Sequence, residues 1–148
     1  MKKIFLFVSV FAIIAISCSN DDDNTEPVNQ NPVSIAKGRL SANGTLTNLN
    51  MVITHNEDWQ VLMSNMDAVN DNITDTFEET TIDFNTYQII AVFQAKNSTT
   101  SVDITNVSET DNTIVVTVEN LQLGITQDIA HPFHIIKIPK SDKLVVFE

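Results

Sequence analysis

Downstream of residue 35 the apolar positions fall into short alternating runs, and one run near the middle is apolar on both alternations. In residues 87–93, Tyr87, Ile89, Ala91 and Phe93 share one face, while Ile90 and Val92 share the other. A strand apolar on both faces must be covered on both, so this one is expected in the middle of a sheet. Val102 and Ile104 alternate with Asp103 and Thr105, and Ile114, Val116 and Val118 alternate with Thr113, Thr117 and Glu119. These are two half-buried strands, and Asp111-Asn112 lies where a tight turn would join them. A loop over 121–130 leads to a strand at 133–138, and Pro139-Lys140-Ser141-Asp142 turns the chain into a last strand at 144–147.

Earlier, runs at 35–40 and 45–49 flank Ala42-Asn43-Gly44, and Asn-Gly between two extended runs predicts a hairpin because both residues tolerate positive φ. A short strand follows at 51–54. At Thr54-His55-Asn56-Glu57 the pattern becomes that of a capping box, in which the hydroxyl and the carboxylate satisfy free backbone N–H groups. Trp59, Leu62, Met63 and Met66 then recur at helical spacing, predicting a helix over 57–66 laid on the sheet with Trp59 as its anchor. Residues 67–83 carry Asp67, Asp71, Asp75, Glu78, Glu79 and Asp83 but no glycine, so they read as a solvated loop and not a calcium loop. The fold class expected is α+β, a mostly antiparallel sheet with one short helix packed on it.

The beginning of the chain follows a different logic. Lys2 and Lys3 precede an apolar run at 4–16, the layout of a secretory signal, and the run is too short for a hydrocarbon core that needs about 20 apolar residues. Ile16-Ser17-Cys18 resembles the lipobox of bacterial lipoproteins, in which the thiol receives a diacylglyceryl group and the new N-terminus is acylated by a palmitate-type chain. Cys18 is the sole cysteine, so it has no disulfide partner, and lipidation accounts for it. Ser19, Asp21, Asp22 and Asp23 resemble the acidic surface-export signal of Bacteroidota lipoproteins. The expected organisation is a signal peptide at 1–17, an acidic flexible tether at 18–34 and a domain at 35–148. The expected place is the outer membrane, with the domain displayed at the cell surface.

Charge narrows the partners further. The chain carries a formal net charge of −11, and losing Lys2 and Lys3 with the leader makes it more negative still. Nucleic acid is therefore not an expected partner, since phosphate recognition needs clustered Lys and Arg.

A wider resemblance covers most of the region from Val52 onward. A strand precedes a helix bearing Trp59 and Leu62; the pair Asp83-Phe84 precedes the central strand at 87–93; and His131-Pro132-Phe133-His134-Ile135-Ile136-Lys137-Ile138-Pro139 forms a late run. Together they resemble the C-terminal domain family of PrcB, a lipoprotein subunit of a spirochaete surface protease complex. The glycine-rich turn with an aromatic that the family carries after its central strand is replaced by Ala95-Lys96-Asn97-Ser98-Thr99-Thr100-Ser101. The resemblance implies a noncatalytic accessory role, stabilising or docking onto a partner such as an envelope protease.

Catalytic patterns are not evident in the residues themselves. There is no Gly-x-Ser-x-Gly elbow and no metal, phosphate or dinucleotide motif, so no cofactor or metal is expected. His131 and His134 lie three apart on an expected strand and so point to opposite faces, where they cannot chelate one ion. His55 reads as a helix-boundary residue, and Asp83 as a hydrogen-bonding group at the start of a strand. The expected role is protein contact in the envelope, through the acidic loop at 67–79 and a partner loop at 94–101 that includes Lys96, Asn97, Ser98, Thr99 and Thr100. The alternative is a protease inhibitor, which needs that second loop to protrude in order, or a small-ligand binder, which needs an apolar groove lined by Trp59, Tyr87 and Phe133. An enzyme would require His134 and Asp83 to converge beside a pocket.

Overall fold

The computed structural model describes residues 28–41, 46–97, 100–122 and 129–148. Signal peptide, Cys18, the export residues Ser19, Asp21, Asp22 and Asp23, most of the tether, the Asn43-Gly44 turn, and Ser98 and Thr99 lie outside them.

The chain is α+β: β1 (Val28–Asn29), β2 (Val33–Leu40), β3 (Leu49–Ile53), α1 (Asn56–Val69), β4 (Tyr87–Phe93), β5 (Lys96–Asn97), β6 (Thr100–Glu109), β7 (Thr113–Gln122), β8 (Ile129–Pro139) and β9 (Leu144–Phe147). A short 3-10 helix at Ile73–Thr76 follows α1. The strands form two sheets, a central one ordered β2-β8-β4-β3, with β5 paired to the start of β8, and an outer one ordered β1-β6-β7-β9. Every pairing is antiparallel except that of β7 with β9.

β4 is the hub that its pattern predicted. From Gln88 to Phe93 every residue is buried, because the strand lies between β8 and β3 and is covered on both faces. Ile89, Ala91 and Phe93 join Phe133 and Ile135 of β8 and Trp59, Leu62, Met63 and Met66 of α1 in one core. Ile90 and Val92 join Ile136 and Ile138 of β8 and Val102, Ile104, Val107, Ile114 and Val116 of the outer sheet in a second. The domain is thus three layers, helix on sheet on sheet.

Several local expectations are corrected. The hairpin expected between 35–40 and 45–49 is not formed among the described residues: β2 pairs with β8, and of residues 46–49 only Leu49 enters a strand, β3, which pairs with β4 at the opposite edge of the central sheet. The turn signal is local, whereas partner choice follows burial of whole strand faces. α1 starts at Asn56, and its N-cap, His55, makes no side-chain capping bond. The Thr54 hydroxyl instead contacts His55 Nδ1 at 2.9 Å, so the expected capping box does not form. Glu57 and Asp58 still place negative charge in the first turn, where the helix dipole favours it. The acidic stretch is less open than a solvated loop: it folds over the core through buried Phe77 and Ile82, and Asp67 accepts from the Thr74 backbone N–H at 3.0 Å and hydroxyl at 2.8 Å.

Two bulges change the phase of burial. Between Ser34 and Ala36 the register of β2 on β8 shifts, which turns the neighbours Ile35 and Ala36 both inward. A second shift between Ile104 and Asn106 moves the buried series of β6 from Val102 and Ile104 to Val107. Gly38 of β2 faces Phe133 across the pair, and a Cβ there would sit 3.2 Å from the ring, so glycine is what allows the close approach.

Candidate functional site

A polar cluster between the two sheets is centred on His134 of β8. That residue is 6% exposed and points to the outer sheet, whereas His131 points to the helical side, where its Nδ1 lies 3.1 Å from the Thr47 hydroxyl. Opposite faces are what strand alternation requires of positions three apart. His134 Nε2 is 3.2 Å from Ser34 Oγ on β2, and Nδ1 is 3.0 Å from Asp103 Oδ1 on β6. Lys37 Nζ, also on β2, is 2.6 Å from the other Asp103 oxygen.

Serine, imidazole and carboxylate in that order are the parts of a hydrolytic triad, and the proton position decides whether they act as one. The Ile104 backbone N–H donates to His134 Nδ1 at 2.9 Å. That amide is aimed by the strand, while Asp103 has Lys37 to balance its charge, so Nδ1 is the acceptor and Nε2 carries the proton toward Ser34. A general base would need the opposite tautomer. Burial pushes the imidazole pKa below 6.5; Asp103 opposes this and Lys37 reinforces it. His134 is therefore a neutral latch joining β8 to β2 and β6.

The remaining candidates do not converge on it. Asp83 accepts from the Asn85 backbone N–H at 3.0 Å and the Thr86 hydroxyl at 2.7 Å, a turn that starts β4. Those bonds, the Thr86 hydroxyl first, hold its carboxyl below the usual range. With Asp83 engaged there, and His134 with the Ile104 N–H and Ser34, the two are not hydrogen-bonded to each other. His55 is exposed, 4.0 Å from Asp58. Among the described residues no three His, Cys, Asp or Glu gather as a metal site would require, and no helix is long and apolar enough to cross a membrane.

No known family model, curated protein or solved structure matches this chain. Geometry alone then weighs the loops. Of the partner loop, Lys96 and Asn97 are zipped to Ala130 and Ile129 as β5, Gln94 N–H donates to the Pro132 carbonyl at 3.0 Å, and Ala95 N–H donates to Asn48 Oδ1 at 3.0 Å. Thr100 is 6% exposed, since it opens β6 and faces inward, so it is not a surface contact. Its carbonyl also accepts from Arg39 Nη2 at 3.5 Å.

The apolar groove expected of a ligand binder is likewise not formed by its three named residues. Trp59 and Phe133 are core, Trp59 donating its indole N–H to the Thr80 carbonyl at 2.8 Å and lying 6.0 Å from the Phe77 ring. Tyr87 is half-buried beneath the Lys137 ammonium, 4.7 Å from its ring centre; the same ammonium pairs with Glu79.

Sequence reasoning missed the Ser34, Lys37, Asp103 and His134 cluster because its members come from three distant segments. It also missed Gln88, although a lone amide inside the otherwise apolar run at 87–93 was a visible signal. Gln88 is 1% exposed and lies at the open side of the sandwich.

Proposed function

We propose that this chain is a lipid-anchored cell-envelope lipoprotein, displayed at the surface of an outer membrane, whose domain acts by protein contact as a noncatalytic accessory module of the PrcB type. Cys18 carries the lipid, residues 19–34 act as the tether, and the partner is an envelope protein such as a protease that the domain stabilises or docks onto. The noncatalytic part is supported by the Ile104 N–H bond to His134 Nδ1, which gives that imidazole a structural partner across the sheets. The anchor rests on the sequence at 13–23. Several acyl chains at about 0.8 kcal/mol per buried methylene make such an anchor effectively permanent.

The anchor is tested by feeding cells a palmitate analogue and comparing the natural chain with Cys18→Ser. Label on the former and none on the latter is expected, and equal labelling with both chains soluble would refute the anchor. Surface display is tested by protease shaving of intact cells, where a protected domain argues for the periplasmic side. Crosslinking in intact cells followed by mass spectrometry tests the accessory role, and recovery of no protein partner would overturn it.

A further inference from the structure

The two sheets end on unpaired strands at the same side of the molecule. β3 closes the central sheet and pairs with β4, β9 closes the outer sheet and pairs with β7, and among the described residues neither has a strand on its other edge. Between them opens a groove of about 450 Å³, lined among others by Val52, Gln88, Asp142, Leu144 and Val145. Its apolar rim faces water, with Val52 40% and Leu144 68% exposed.

Gln88 lies in this groove and is 1% exposed, yet its Nε2 has no hydrogen-bond partner among the described residues. A buried amide donor without an acceptor is unfavourable, and a carbonyl brought into the groove would relieve it. An extended peptide brings such carbonyls at regular spacing, and free sheet edges are where extended segments dock.

Charge decides which segment. Lys143 is already held by Glu109 at 2.7 Å and the Thr110 carbonyl at 2.6 Å. Asp142, beside it on the rim, makes no side-chain hydrogen bond or ion pair among the described residues. A second copy of this chain, with its net charge of −11, would bring more negative charge to that carboxylate. A basic flank would complement it.

We infer that this groove binds an extended segment of a partner protein, placing an apolar side chain on Val52 and Leu144, a backbone carbonyl against Gln88 Nε2, and a lysine or arginine beside Asp142. The inference rests on the protein-contact reading above and supplies its surface.

The test uses the full isotope-labelled chain in detergent micelles and two blocked heptapeptides of alternating valine and threonine, one with lysine and one with glutamate at both ends. The lysine peptide is expected to shift the Gln88 side-chain amide and the Leu144 signals saturably, and to bind roughly fivefold more tightly than the glutamate peptide. Asp142→Lys, a change at an exposed position, should reverse that preference. No saturable shift at Gln88, or an unchanged preference in Asp142→Lys, overturns the inference. If cellular crosslinking still yields a protein partner in that case, the accessory role stands and only the groove is removed from it.

Discussion

Replacing His134 tests the latch, and two substitutions separate its parts. His134→Leu leaves the buried Ile104 N–H without its 2.9 Å acceptor and removes the Ser34 contact. An unsatisfied buried donor costs about 1–3 kcal/mol and a lost neutral hydrogen bond about 1 kcal/mol, so a loss of roughly 2–4 kcal/mol is expected. His134→Asn keeps an acceptor oxygen near the position of Nδ1 and should recover about half of that. Because burial holds the folded imidazole below 6.5, its contribution is complete above that value and falls as pH drops through the folded pKa. One group cannot add a slope above about 1.4 kcal/mol per pH unit. Urea unfolding of the three chains between pH 5 and 7.5 measures both effects. The natural chain should lose stability relative to His134→Asn on acidification, the carboxylates they share cancelling in the difference. Parallel pH profiles for those two, or a His134→Asn as unstable as His134→Leu, would refute the neutral acceptor assignment.

Smaller perturbations follow from the packing. Trp59→Phe removes the indole bond to the Thr80 carbonyl and part of the buried surface under α1, and should cost about 1–3 kcal/mol by thermal or urea unfolding. Gly38→Ala forces a methyl to 3.2 Å from the Phe133 ring, and should cost on the order of 1 kcal/mol, with Gly38→Ala/Phe133→Leu less than additive because the ring is what is struck. Ser34→Ala should leave reactivity toward a fluorophosphonate probe unchanged from the natural chain, since Ser34 faces a protonated Nε2; labelling that disappears in Ser34→Ala would show a nucleophile there.

Features carried by neighbouring residues were legible in the sequence. The Trp59, Leu62, Met63 and Met66 stripe, the two-faced run at 87–93, and the β6–β7 hairpin closed by Thr110 and Thr113 each report their own burial or turn. Features set by distant partners were not. The Asn43-Gly44 signal suggested that the runs at 35–40 and 45–49 pair, but Ile35 and Ala36 are buried through β8, and the strand that follows, with Met51 and Ile53, packs through β4. The turn between β8 and β9 was visible at 139–142, yet nothing local shows that β9 leaves the central sheet to run parallel to β7 in the other one. Thr54 to Glu57 fits a capping box by type, and the structure starts the helix one residue later than that box requires. The site suffered most from this limit. Lys37 and His134 meet by the pairing of β2 with β8, and Asp103 joins them only through the stacking of the second sheet.

The pairing of Ser34 with Ile136 has a consequence for the order of assembly. One edge of the central sheet cannot be stitched until nearly the last stretch of polypeptide has emerged, and ring closures that long are slow to form. A nascent chain of this design keeps that edge open until β8 has left the ribosome. Under the lipoprotein reading proposed above, late stitching would keep the export conduit clear, and a product cut short before Ile136 would never close that edge.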